Sequence, residues 1–123
     1  MRNDTGQATL ELALCLPIVL LLAAALVQTG GIMSDQVRLW HAARDAARIA
    51  VVDPDAGDVA DAAEDAGLHP LQVTVSPAPA LRAAGNPLTV SLRYHPVAGV
   101  PLVGNLLDGF TLSASATMRI EVP

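Results

Sequence analysis

Residues 12–34 read LALCLPIVLLLAAALVQTGGIMS, and no residue between Glu11 and Asp35 carries a formal charge. An α-helix rises about 1.5 Å per residue, so roughly 20 residues cross the ~30 Å hydrocarbon core of a membrane. The stretch is therefore long enough to span a membrane once. The alternative, a buried core helix, is disfavoured because the remaining residues are too few and too alanine-rich to enclose a helix that is apolar on every side.

The composition leaves room for one domain and an anchor. The chain has 123 residues, of which 52% are hydrophobic, and a net charge of −5. Its basic residues are scattered among a larger number of acids, and phosphate binding needs a basic patch, so we expect no nucleic-acid partner. The three aromatic residues, Trp40, Tyr94 and Phe110, offer no platform for stacking bases. Cys15 has no cysteine partner, so cysteine usage leaves the redox compartment open.

Several kinds of N-terminal signal compete for residues 1–34. A secretory signal peptide needs a basic start, but Arg2 is balanced by Asp4, and no small-x-small cleavage site follows the apolar run. A lipoprotein signal needs a small residue before the cysteine, whereas Leu14 precedes Cys15 and the apolar run follows it. An uncleaved signal-anchor stays open as an interpretation.

A further kind of signal explains the acid at the edge of the apolar run. Residues 1–6 form a short polar leader that ends in glycine, and Glu11 follows Gly6 by five positions in the sequence QATLELAL (7–14). This arrangement resembles the class III signal of type IV pilin-like proteins. Together with Pro17 and the later sequence QVRLWHAARDAAR (36–48), it resembles more narrowly the TadE family of pseudopilins, which belong to the tight-adherence (Flp pilus) machinery.

The resemblance implies a function, a location and partners. It implies cleavage between Gly6 and Gln7 by a prepilin peptidase, and a role as a minor pseudopilin in the assembly of Flp-type pili through packing of the N-terminal helix. The expected partners are the membrane, that peptidase, other pilin or pseudopilin subunits and the assembly machinery. The chain would cross the cytoplasmic membrane once, with its N-terminus cytoplasmic and its C-terminal part outside, before any extraction into a pilus. The alternative function is an uncleaved single-pass anchor that presents a small binding domain to an envelope partner.

Two residues of the apolar helix have expected roles of their own. A lone carboxylate near hydrocarbon is costly unless it is neutralised or paired. Cleavage after Gly6 would create an α-amine four residues before Glu11, and the amine of a neighbouring subunit could pair with Glu11 and set the axial register. The alternative is that Glu11 only gains from the helix dipole near the N-terminus. Pro17 lies inside the run and is expected to kink or loosen the helix.

The helical pattern continues from Ser34 to Val52, which predicts one long helix over residues 7–52. Apolar residues at three-to-four spacing occupy one side of its outer part: Met33, Val37, Trp40, Ala47 and Val51. The other side carries a polar stripe, which consists of His41, Arg44, Asp45 and Arg48. The polar stripe is interpretable as a solvated face or as a docking surface.

The rest of the chain predicts a small α+β domain. Pro54 ends the long helix, and a short helix is expected at 56–66 with Gly67 as its stop. Apolar residues at every second position predict strands at 71–76, 88–94 and 110–121, and Val103–Leu107 are expected to form a helical turn. Three antiparallel strands with one apolar face need a cover, which the short helix or the outer part of the long helix can supply.

The expected fold class is therefore α+β, with a long N-terminal transmembrane, pilin-like helix, then a short helix and a small three-stranded antiparallel sheet. The expected division is a leader (1–6), the long helix (7–52) with its transmembrane part at about 12–34, and an extracytoplasmic domain (53–123).

No residue pattern indicates catalysis. His41, His69 and His95 lack metal-ligand spacing to each other and to Cys15. There is no nucleophile elbow, phosphate loop or dinucleotide fingerprint. We therefore expect no cofactor, no metal, no small-molecule substrate and no enzymatic activity.

Overall fold

The computed structural model describes residues 4–52, 56–97 and 109–121, and it has the predicted α+β architecture. Helix α1 spans Asp4–Val52 and helix α2 spans Ala56–Glu64. Strands β1 (Leu71–Ser76), β2 (Pro87–Tyr94) and β3 (Leu112–Arg119) follow, with a 3-10 turn at Pro79–Leu81 between β1 and β2. The strands form an antiparallel sheet in the order β1-β2-β3.

The element boundaries differ slightly from the predicted ones. Helix α1 begins at Asp4 instead of residue 7, and α2 ends at Glu64 instead of residue 66. Beyond α2 the chain turns through Gly67, whose φ of 72° places it in the left-handed region that glycine adopts without strain. Strand β3 covers Leu112–Arg119, shorter than the predicted 110–121. The helical turn expected at Val103–Leu107 lies outside the described residues.

One face of the sheet carries the core. Strand β2 alternates regularly, with Leu88, Val90, Leu92 and Tyr94 buried and the residues between them more exposed. These side chains pack with Leu112 and Ala114 of β3, with residues of α2, and with the outer part of α1. The opposite face is polar, and on it the hydroxyls of Thr89 and Thr117 lie 2.8 Å apart in a cross-strand hydrogen bond.

The buried face of α1 is lined mainly by alanines. Met33, Val37 and Trp40 are 67%, 57% and 48% exposed. The residues buried instead are Leu39, Ala42, Ala43, Ala46, Ala47 and Ala50. Of the apolar side described from the sequence, Ala47 is buried and Val51 is half-buried, whereas its three large members are exposed. Alanine side chains let the sheet and α2 approach the helix closely, and that close approach decides which face is covered.

Strand β3 runs alongside α1 in the same direction. Near its start, Nε2 of Gln36 donates a hydrogen bond of 3.0 Å to the carbonyl oxygen of Ser113. Beyond its end, Ile120 and Glu121 line a cavity together with residues 50–52 of α1. Of the two ends of β3, the start therefore lies nearer the apolar part of α1.

Candidate functional site

The predicted processing and register residues lie together on an exposed part of α1. Gly6, Gln7 and Glu11 are all exposed. Nε2 of Gln7 donates a hydrogen bond of 3.3 Å to Oε1 of Glu11, one helical turn away. A carboxylate has about four acceptor positions, so this bond leaves most of the capacity of Glu11 for a partner. A Cβ added at Gly6 would meet nothing within 4 Å among the described residues, so this chain's own packing does not require a glycine there.

The apolar part of α1 is unburied. The helix is long and apolar enough to cross a membrane, and the apolar window is 0% buried within the described structure. A core helix of a soluble domain would be largely covered by its own chain, so the core-helix alternative fails. The hydroxyl of Thr29 donates a 2.8 Å hydrogen bond to the carbonyl oxygen of Ala25, which satisfies this polar group inside the helix. Among residues 4–52, 56–97 and 109–121, one helix is thus suited to a single membrane span.

Pro17 lies inside α1, and the helix continues through it as one element. The kink expected at this position stays a prediction.

All four residues of the polar stripe, His41, Arg44, Asp45 and Arg48, are exposed on α1. His41 and Asp45 line a shallow groove of about 220 Å³ between α1 and α2, together with Arg38. Asp65 and two alanines supply the α2 side of this groove. Arg44 and Arg48 are not among the described residues that line this groove. The polar stripe is therefore divided: His41 and Asp45 lie in the groove, and Arg44 and Arg48 lie on the open surface of α1.

A second exposed surface was missed by the sequence analysis. Met33, Val37 and Trp40 form an exposed apolar stripe on α1, which starts at the end of the uncharged segment and continues beyond it. Beside Trp40 lies an open cavity of about 290 Å³, lined by Ser91–Arg93 of β2 and Ser113–Ser115 of β3. The spacing of the stripe was visible in the sequence. What was not visible was that the alanines would occupy the buried face.

The three histidines lie on different parts of the described chain. His95 Nδ1 lies 3.2 Å from the hydroxyl of Thr111 and connects the end of β2 with the start of β3. His41 and His69 are exposed on other parts of the chain. Within residues 4–52, 56–97 and 109–121, no group of three or more His, Cys, Asp or Glu side chains could hold a metal ion.

Comparison with known proteins identifies the N-terminal region. Residues 6–48 match the family model of TadE-like proteins. The predicted resemblance is therefore confirmed over the residues that carried it, from Gly6 to Arg48. Neither a curated protein nor a solved structure matches the chain.

Proposed function

Because residues 6–48 of this chain are TadE-like, we propose that it acts as a minor pseudopilin in the assembly of Flp-type (tight-adherence) pili. The observation that carries this proposal is the alignment of three features on α1. Gly6 and Glu11 have the five-residue spacing of a class III signal. They lie near the start of α1, directly before its unburied apolar part. The match to the TadE-like family model includes both residues and this apolar part.

The exposed start of α1 supports processing by a prepilin peptidase between Gly6 and Gln7. Glycine is a poorer helix former than alanine, and nothing in the described packing calls for glycine at position 6. A peptidase that accepts only a small residue before the cleaved bond would explain the glycine at position 6. The first four N–H groups of a helix also lack intrahelical partners, so residues this close to Asp4 unwind readily into an active site.

Glu11 is the proposed register residue. After cleavage the new α-amine belongs to Gln7, and a neighbouring subunit would bring its own amine to the lip of the membrane helix. Pairing that amine with Glu11 neutralises two charges near hydrocarbon, where each alone is costly. The exposure of Glu11 and its single-turn contact with Gln7 leave it accessible to such a partner.

The exposed apolar stripe supports packing of subunits beyond the membrane as well. Leu26, Met33, Val37 and Trp40 are all about half exposed or more. Their separations of seven, four and three residues keep them on one side of the helix, the pattern by which neighbouring helices pack. We infer that α1 packs against other subunits through this side, with its N-terminus in the cytoplasm and the sheet outside.

The mature N-terminus tests the proposal directly. The chain is expressed with and without a prepilin peptidase, the membranes are isolated, and the intact mass of the protein is measured. With the peptidase, we expect a product that lacks residues 1–6 and begins at Gln7. The variant Gly6→Leu should stay uncut. Gly30→Leu, which also meets no neighbour within 4 Å among the described residues, should be cut as the native chain is.

The same measurement separates the alternatives. A leader that stays intact in the presence of the peptidase favours an uncleaved single-pass anchor that presents a small binding domain. Cleavage near residues 29–31 indicates a conventional signal peptide and a released protein. Either result contradicts the pseudopilin proposal.

A further inference from the structure

Two exposed apolar residues lie at the end of the sheet where β2 stops and β3 starts. Val97 follows β2 and is 77% exposed, and Phe110 precedes β3 and is 49% exposed. Between them and the strands, the contact of His95 with Thr111 holds the two chain segments together beyond the last pair of the ladder, Tyr94 with Leu112. Val97 and Phe110 thus lie at the same end of the sheet.

Their height along α1 follows from the hydrogen bond between Gln36 and Ser113. Strand β3 runs with α1, so moving back along the chain from Ser113 means moving towards the apolar part of the helix. Three extended residues cover about 10 Å. The same distance along α1 is about six to seven residues. Because β3 begins only at Leu112, this distance is an upper limit, and Phe110 lies between the level of Gln36 and about that of Thr29 and Gly30, near Asp35, the first charge after the apolar run.

Burial on α1 supports this placement independently. Gln28, Ile32 and Gln36 follow one another at four-residue spacing, and all three are half-buried, whereas Leu26 and Val27 beside them are 67% and 77% exposed. Ile32 packs against the core cluster of the domain. The domain thus extends down one face of α1 into the uncharged segment.

We propose that the end of the domain that carries Val97 and Phe110 inserts into the lipid surface and forms a second membrane contact beside α1. This inference rests on α1 being the membrane anchor of the proposed function. Exposed valine and phenylalanine at the level of the membrane boundary gain by leaving water. Two contacts would fix the rotation of the domain about α1 and so determine which sides of α1 face neighbouring subunits.

Site-specific fluorescence in vesicles tests this contact. In a Cys15→Ala background, single cysteines are introduced by Val97→Cys and Phe110→Cys and labelled with an environment-sensitive nitrobenzoxadiazole. Leu81→Cys is the matched control, because Leu81 is 72% exposed and lies in the turn whose neighbours Pro79 and Arg82 border residues 50–52, at the far end of the sheet. Ile18→Cys, at a residue 68% exposed in the apolar run, reports whether α1 itself is in the membrane.

The full-length protein is reconstituted in phosphatidylcholine vesicles with plain or brominated acyl chains. We expect brominated lipid to quench the probes at 97 and 110 several-fold more strongly than the probe at 81, and to quench the probe at 18 as well. If 97 and 110 behave as 81 does while 18 is quenched, the second contact is wrong and the anchor stands. If 18 is also unquenched, the anchor itself fails. A blue-shifted but unquenched probe at 97 or 110 would mean a protein contact, such as a second copy, and would also overturn the proposal.

Discussion

Glu11 is an exposed carboxylate near the start of α1 whose described contact is the side-chain amide of Gln7. We predict that Glu11→Ala and Glu11→Gln change the stability of the folded chain by less than about 0.5 kcal/mol, as surface substitutions usually do. Removing one member of a buried charge pair costs about 3–5 kcal/mol. If Glu11 pairs with a neighbour's amine, both variants should therefore lower subunit association by more than about a hundredfold. Subunit association is measured as the amount of the chain recovered with sheared pili, and the amount in membranes is measured beside it and should be normal.

Two comparisons decide whether the charge of Glu11 matters. Glu64→Ala removes an exposed acid from α2 and should leave both readouts unchanged. Glu11→Gln keeps the shape of the side chain and one acceptor oxygen but removes the charge, so a loss equal to that of Glu11→Ala assigns the effect to the carboxylate. Normal pilus recovery with Glu11→Ala would reduce Glu11 to a residue that only favours the helix N-terminus.

At the scale of single residues, the sequence predicted exposure better than burial. The polar residues His41, Arg44, Asp45 and Arg48 are exposed as a pattern of charges predicts. Hydropathy alone favours burial of the side of α1 that carries Trp40 and Met33, whereas packing favours the side whose small residues let a sheet approach. Ala46 and Ala47 are fully buried for that reason. Whether an alanine is buried depends on the surface that packs against it, and the local sequence pattern does not contain that surface.

At the scale of elements, α1 has two adjacent glycines, Gly30 and Gly31, where the apolar run ends. A Cβ added at either one meets nothing within 4 Å among the described residues. Each glycine-to-alanine change in a helix gains about 0.5–1 kcal/mol. We therefore predict that the double variant Gly30→Ala with Gly31→Ala slows amide hydrogen exchange in this part of α1 by about five- to thirtyfold, which is what 1–2 kcal/mol produces. Mass spectrometry of the protein in lipid nanodiscs measures the exchange. Gly57→Ala in α2 is the control, and unchanged exchange near residue 30 would show that other contacts already hold the helix there.

Element types were predictable and their ends less so. Strict alternation in LTVSLRY (88–94) predicts a strand with one buried face, and β2 has that burial pattern. Strand β3 was predicted too long because alternation continues through Phe110 and Ile120, but the ladder ends where β2 has no further partner residues to offer. Pairing is a property of two strands, so the sequence of one cannot set its limits.

At the scale of the whole molecule, the core joins two parts of the chain that the sequence suggested as separate units. The division at residue 52 stays a prediction, but the buried side chains come from both sides of it, with Leu39–Ala50 of α1 facing the sheet and α2. Nothing in the hydrophobic pattern indicates that β3 runs alongside α1, or that the start of β3 lies near the apolar part of the helix. Both follow from contacts between residues far apart in sequence, such as Gln36 with Ser113.

This shared core predicts which fragments fold. The fragment 34–123 lacks the unburied apolar run but keeps every buried residue of α1, so it should be a soluble monomer that unfolds cooperatively in urea. The fragment 56–123 leaves the apolar face of β2 uncovered. A three-stranded sheet without a cover is not stable alone, so we expect this fragment to aggregate or to show no cooperative transition. Circular dichroism during urea titration measures both.

A pair of variants in the fragment 34–123 locates the cover on one face of α1. Leu39 is fully buried and Val37 is 57% exposed, although the two are neighbours on the same turn. Leu39→Ala should lower the free energy of unfolding by about 2–5 kcal/mol, because it removes core contacts and leaves a cavity. Val37→Ala should change it by less than about 0.5 kcal/mol. Equal losses, or cooperative unfolding of the fragment 56–123, would mean that α1 is not what covers the sheet. The expected contrast would leave Val37 and its exposed neighbours on α1 available to a partner outside this chain.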